Sequence, residues 1–170
     1  VIENIMRFSK VPVVVHSEDE SVIKNNLEKY IKIYGNDIPF KFHPIIRSEE
    51  ACLRSTIKII ELAKKCNSRL HVFHLSTKVE SELFENINLG NKKITSEVCI
   101  HHLTFNDSSY EKKGSLIKWN PAIKTKLDQD ALWDALNSDK IDIIATDHAP
   151  HTIEEKQRKY LECPSGGPLV

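Results

Sequence analysis

Asp142-Ile143-Ile144-Ala145-Thr146-Asp147-His148-Ala149-Pro150-His151 is a short apolar run that opens into a cluster of ionisable side chains. An acidic residue at the mouth of a strand is a candidate metal ligand or general base. Working outward, three more apolar segments of similar length precede it, giving strands at Val11 to Ser17, Leu70 to Ser76, Ile94 to Ile100 and Asp142 to Thr146. Helical patterns alternate with them, which is the signature of βα units and a parallel sheet.

The clearest helix is Glu49 to Cys66. Ser48 is its N-cap, Glu49 and Glu50 occupy the first turn, and Lys64 and Lys65 occupy the last. Leu53, Ile57, Ile60 and Ala63 are expected to face the sheet. A second helix runs from about Ser21 to Tyr34 and ends at Gly35, and others are expected at Val79 to Asn88, Asp128 to Asn137 and around Ile2, Ile5 and Met6. The stretch His101 to Thr125 is long for a connection, and long ordered connections are usually functional. After His151 the chain reads as loop.

Side chains two apart on a strand share a face. Val14 and His16 are then together, as are Val72 and His74, and Ala145 and Asp147. Three parallel strands each ending in a ligand-type side chain suit the active-site end of a (β/α)8 barrel, and a doubly wound sheet places ligands at the same end. Two imidazoles and a carboxylate, His16, His74 and Asp147, are suitable ligands for Zn²⁺, which lowers the pKa of bound water towards neutrality.

Lys plus Arg equals Asp plus Glu at 24 each, so bulk charge supports neither nucleic-acid nor membrane-surface binding. The expected partner is a small molecule. No apolar run reaches the ~20 residues of a bilayer span and the first residues carry no signal-peptide pattern, so the expected setting is cytoplasmic. Cys52, Cys66, Cys99 and Cys163 form no CxxC pair and read as reduced, mostly buried bystanders. The chain begins without Met and reads as an excerpt of a longer protein.

The pattern Thr146-Asp147-x-Ala149-Pro150-His151 with Lys156 resembles the signature of dihydroorotase, an amidohydrolase. Val15-His16-Ser17-Glu18-Asp19 is similar to that family's segment after barrel strand five, His71-Val72-Phe73-His74 to its strand-six segment, and Asn120-Pro121-Ala122-Ile123-Lys124 to its substrate loop. The resemblance implies a metal-dependent (β/α)8 barrel of which residues 1–170 are a single partial domain, about strands five to eight, truncated at both ends. It implies two zinc ions per complete site, with His16 and His74 on one and Asp147 on the other. Asp147 is then the catalytic base that accepts the proton of the attacking hydroxide and passes it to the leaving nitrogen, and Asn120 and His151 bind the substrate carboxylate.

The implied reaction is reversible hydrolysis of dihydroorotate to N-carbamoyl-aspartate in pyrimidine biosynthesis. The alternatives are a hydantoinase or allantoinase, and a non-catalytic scaffold for aspartate transcarbamoylase; self-association or association with that enzyme is the macromolecular partnership implied. The family's His-x-His pair and its bridging Asp or carboxylated Lys are missing, so the fragment alone is expected to be inactive. Glu18 reads as a residue behind the ligands and Asp19 as a helix cap. His43, His71 and His148 read as structural; His101 and His102, similar to a His-His-Leu segment of the family, read as supporting the ligands from behind or as structural rather than as ligands; Glu97 reads as a candidate orienter, and Lys156 either as part of the signature or as a solvated lysine.

Overall fold

The apolar runs become four short strands, β1 (Val13–Val15), β2 (Leu70–Val72), β3 (Ile94–Cys99) and β4 (Ile143–Ala145). The computed structural model describes residues 1–169. Around the strands run α1 (Ile2–Phe8), α2 (Glu20–Tyr34), α3 (His43–Ile46), α4 (Glu49–Cys66) and α5 (Lys78–Ser81). Four more follow: α6 (Ile100–Thr104), α7 (Tyr110–Lys113), α8 (Lys126–Asn137) and α9 (Ile153–Lys156). All neighbouring strands are parallel, in the order β1-β2-β3-β4. A doubly wound sheet reverses its order at a switch point. None occurs among these strands, so the sheet is wound in one direction, as part of a barrel is.

The register sets the faces. Val13 pairs with Leu70 and Val15 with Val72, and these residues pack with Ile60, Ala63, Val98, Leu132 and Ala135 in the helix-side core. Full burial of each such aliphatic side chain contributes about 2 kcal/mol. On the other face Val14 pairs with His71, His71 with Thr95, and Glu97 with Ile143. Val14, Phe73 and Ile143 are exposed there, an open apolar surface of the kind that forms a barrel interior. At the N-terminal end of the ladder, buried Lys92 bridges to Asp142 at 2.6 Å, and the other Asp142 oxygen accepts from the Ser96 amide at 3.0 Å, tying β4 to β3.

Helix α4 has the expected bounds because its caps are local: Ser48 accepts from the Ala51 amide and Asn67 closes the helix at φ +51°. Its buried face differs from the expected one. Cys52, Thr56, Ile60 and Ala63 face inward, while Ile57 is exposed. The helix turns this way because Thr56 is the residue whose hydroxyl reaches buried Glu80 at 2.8 Å and Ser17 at 2.9 Å. The expected helix Val79 to Asn88 shrinks to the single turn Lys78–Ser81, and Asn88 caps a separate local turn by accepting from the Gly90 amide. Beyond His151 the chain is not all loop. Thr152 and Glu155 form a capping box that starts α9.

The connection His101 to Thr125 is built around buried Tyr110, Ile117, Trp119 and Ile123. It is fastened to the rest through His43, which is fully buried: Nε2–H donates to the Trp119 carbonyl at 2.7 Å, and Nδ1 accepts from the Tyr160 hydroxyl at 2.8 Å. Burial lowers the His43 pKa to about 3, and burial likewise lowers those of His101, to about 3, and His102. The folded state therefore keeps these rings neutral while the unfolded chain protonates them below pH ~6.5. Stability is fully present above that value and falls as pH drops below it, for His43 and His101 down to about 3, by up to about 1.4 kcal/mol per pH unit for each ring. Thermal denaturation at pH 7 and 5 should show this loss in the wild type and a smaller one in His43→Asn; equal losses in both would remove His43 from the account.

Candidate active site

His16 follows β1 directly, and a regular strand would place it on the open face with Val14. His74 should then be on the opposite face, because Val14 pairs with His71. Alternation that groups His74 with Val72 thus carries it to the helix side. The backbone resolves this with a bulge. The Leu70 amide bonds to β3 (Lys93 O), the Phe73 amide to β1 (Val15 O), and the Leu75 amide to β3 again (Glu97 O), although regular alternation would send it to β1. His74 is the extra residue, at φ +35°. Bulges re-aim side chains, and here the His74 Nε2 comes to 3.0 Å from His16 Nδ1.

His16 is held from behind. Its Nε2–H donates to Glu18 Oε2 at 2.8 Å, and the same carboxylate oxygen takes the Arg47 guanidinium. The Glu18 side chain is fully buried. Burial pushes its pKa up, but the His16 bond and the charges of Arg47 and Lys124 together outweigh it and leave the carboxyl below its ordinary value. Glu18 is thus an anion that fixes the tautomer of His16 with the lone pair of Nδ1 facing His74. Asp19 caps α2, accepting from the Ser21 and Val22 amides. His74 is itself lowered, chiefly by burial and next by His16, with Asp147 acting against both.

A cavity of ≈ 320 Å³ is lined by His16, His74, Trp119, Asn120, Asp147, Ala149, Ser165 and Gly166. Four of the five expected site residues therefore meet in one cleft at the C-terminal ends of the strands. Asp147 is exposed, with a left-handed φ of +49°. The Asn120 side-chain oxygen accepts from Ser165 Oγ at 3.1 Å. The fifth, His151, stands behind the wall: its Nε2–H donates to the Ser165 carbonyl at 3.1 Å, and Nδ1 is 3.5 Å from Glu155.

Three lysines brace the cleft. Lys156 is buried rather than solvated, and its ammonium donates to the carbonyls of Gly166 at 2.9 Å, Pro164 at 3.0 Å and Lys118 at 3.4 Å. Lys118, lowered to about 8 by burial, donates to the carbonyls of Tyr160 and Cys163. Lys124 donates to the Ala122 carbonyl at 3.0 Å, so the loop after Asn120 is pinned even though Ala122 stands where the dihydroorotase pattern often has proline. The sequence reading missed Arg47, Ser165 and Gly166. Pro164-Ser165-Gly166-Gly167 reads only as turn; in the fold a Cβ on Gly166 would meet the Ala149 carbonyl at 2.6 Å, a close approach that no local pattern announces. His71 stays structural, bonded to Thr95 at 2.8 Å and to Glu97 at 3.2 Å, and His148 accepts from the Leu169 amide.

No family model matches the chain. The dihydroorotase of Latilactobacillus sakei is 35% identical over 161 residues, covering 91% of this chain and 35% of that protein. The dihydroorotase of Endomicrobium trichonymphae is 35% identical over 161 residues, covering 92% and 36%. The dihydroorotase of Deinococcus radiodurans is 40% identical over 107 residues, covering 63% and 26%. The chain thus spans about a third of the length of the first of these relatives. Among solved structures, D-hydantoinase from Bacillus sp. AR9 superposes with a TM-score of 0.88 at 24% identity, over 99% of this chain and 38% of that one. D-hydantoinase from Thermus sp. superposes at 0.86 with 22% identity, over 98% and 38%. The fold is that of the corresponding part of these enzymes.

Glu18→Gln keeps the shape of the side chain and removes the charge that faces Arg47 and His16. Breaking such a pair costs about 3–5 kcal/mol when both groups are buried, and about 2 kcal/mol or more here because Arg47 retains 17% exposure. Urea denaturation of wild type and variant measures it; a difference under ~0.5 kcal/mol, the range of an ordinary surface substitution, removes Glu18 as the support of His16.

Proposed function

We propose, from its kinship with part of the dihydroorotases, that this chain supplies one side of a metal-dependent site that opens and closes the cyclic amide of dihydroorotate, giving N-carbamoyl-aspartate. The observation that carries the reading is the meeting of His16, His74, Asn120 and Asp147 in one cleft. The donor set fits a metal. His16 Nδ1 and His74 Nε2 are 3.0 Å apart, and two nitrogens on one tetrahedral zinc at ~2.05 Å stand about 3.3 Å apart. A single proton bridges them, so one cation can take its place. The ions on this reading are zinc, the process is pyrimidine biosynthesis and the setting is cytoplasmic. No helix among the described residues is long and apolar enough to cross a membrane.

Bound metal would polarise the ring carbonyl and make water a better nucleophile near neutral pH. The remaining work falls to this chain. Glu18 and Arg47 hold His16; Asp147 takes the proton from the attacking water and delivers it to the departing ring nitrogen. The Asn120 amide binds the substrate carboxylate, joined by His151 once its Nε2–H leaves the Ser165 carbonyl. Retention of His16, His74 and Asp147 favours catalysis over a scaffold that associates with aspartate transcarbamoylase. Kinship in sequence favours dihydroorotate over hydantoin, since the likeness to hydantoinases at 22–24% identity speaks for fold.

The test is cyclisation of N-carbamoyl-aspartate by the full-length protein. Asp147→Asn should lower kcat by about 10³-fold, within the range for loss of a positioned proton carrier. His151→Ala should raise KM for dihydroorotate about tenfold or more, with a smaller effect on an uncharged cyclic amide, because a hydrogen bond to a charged group contributes about 1.5–3 kcal/mol. Hydantoin turnover without dihydroorotate turnover would overturn the substrate assignment.

A further inference from the structure

Behind the Trp119 wall of the cleft lies a second group of ligand-type side chains that the proposed reaction does not use. Cys99 ends β3, and His101 and His102 stand in α6; one donor atom from each lies within 4.8 Å of the others. Their exposures are 0%, 1% and 2%. The two imidazole rings are 4.3 Å apart, and the Nδ1 atoms of both are buried without a hydrogen-bond partner. His102 has a defined tautomer: Nε2–H donates to the Pro121 carbonyl at 3.1 Å, leaving the bare lone pair on Nδ1. A carbonyl on the far nitrogen is the usual support of a metal-ligating histidine. A pair of dry, unpartnered imidazole nitrogens beside a buried sulfur is otherwise a costly arrangement, since nothing offsets their lost hydration.

We infer that Cys99, His101 and His102 form a second cation site, taking one divalent ion of the zinc class through a thiolate and two imidazoles. Thiolate with imidazole is a zinc-type donor set, and three protein ligands leave the fourth position open. Burial, helped by Glu97 and Asp147, holds the Cys99 thiol in its protonated form until a cation arrives. On binding, the S–H bond breaks, the sulfur–metal bond forms and one proton leaves to solvent. The site shares no residue with His16, His74 and Asp147. His101 stacks on Trp119 at 4.4 Å with 14° between the planes, and Trp119 and its neighbour Asn120 line the cleft. The ion would therefore stiffen the Asn120 loop from behind.

Cobalt(II) tests this as a stand-in for zinc, because only a thiolate ligand produces a sulfur-to-cobalt charge-transfer band. Titrated into the metal-free full-length protein, it should give that band with release of one proton per ion at the site. The band should persist in His16→Ala, which weakens the cleft site, and vanish in Cys99→Ser with one fewer cobalt bound. His101→Gln should weaken the cobalt affinity read from the band by about tenfold or more, and it carries the comparison should Cys99→Ser not fold. A wild type saturated with cobalt that shows no band, a band that survives in Cys99→Ser, or one lost in His16→Ala and unchanged in His101→Gln overturns the inference. None of these readouts depends on which cyclic amide is hydrolysed.

Discussion

A single extra residue just beyond β2 decides whether His74 reaches His16 in the cleft. Parallel pairing fixes which residues of neighbouring strands share a face, and the register that buries Leu70 and Val72 against the helices sends His74 towards the helices too. The bulge reverses that parity after the core has been satisfied, so packing and the approach of His74 to His16 stop competing. A left-handed φ on a residue with a Cβ is unfavourable. The Phe73 and Leu75 amides, bonded to β1 and β3 on either side, hold the chain in it. The same economy appears at Asp147, which also leaves its strand through positive φ. Positive φ on non-glycine residues concentrates at functional sites for this reason.

The cleft rests on a shell of buried charge. Glu18 is an anion between His16 and Arg47, while Lys118, Lys124 and Lys156 turn inward to backbone carbonyls. Each ammonium satisfies oxygens that an irregular loop would otherwise leave bare in the interior. Irregular backbone can thus be packed tightly around the cleft without a regular ladder. The stability of the wall and the placement of Asn120 and Ser165 are for that reason one property.

Legibility in the sequence followed how local each signal was. The bounds of α4 were readable because Ser48, the terminal charges and Asn67 act within a turn of the helix; its buried face was misjudged because counting apolar residues overlooks Thr56, whose partners lie on other elements. The strand ends are legible enough to bring His16, His74 and Asp147 to one end of the sheet, yet simple alternation carries His74 to the face opposite the one it takes. A bulge depends on two neighbouring strands at once, and no spacing within β2 announces it. The capping box at Thr152 and Glu155 was local and overlooked. The role of Ser165 and Gly166 is not local, since it depends on Asn120, which Ser165 bonds, and on Ala149, which closes against Gly166.

Lys156 gives the signature run an unexpected chemical selectivity. Its nitrogen sits where the carbonyls of Lys118, Pro164 and Gly166 converge, in a space with almost no access to solvent. A compact ammonium with three donors pointing apart suits that convergence, whereas a guanidinium spreads its donors across a rigid plane. Exchange for arginine would conserve the charge while forcing the loop apart, so at this position the shape of the cation matters as much as its sign.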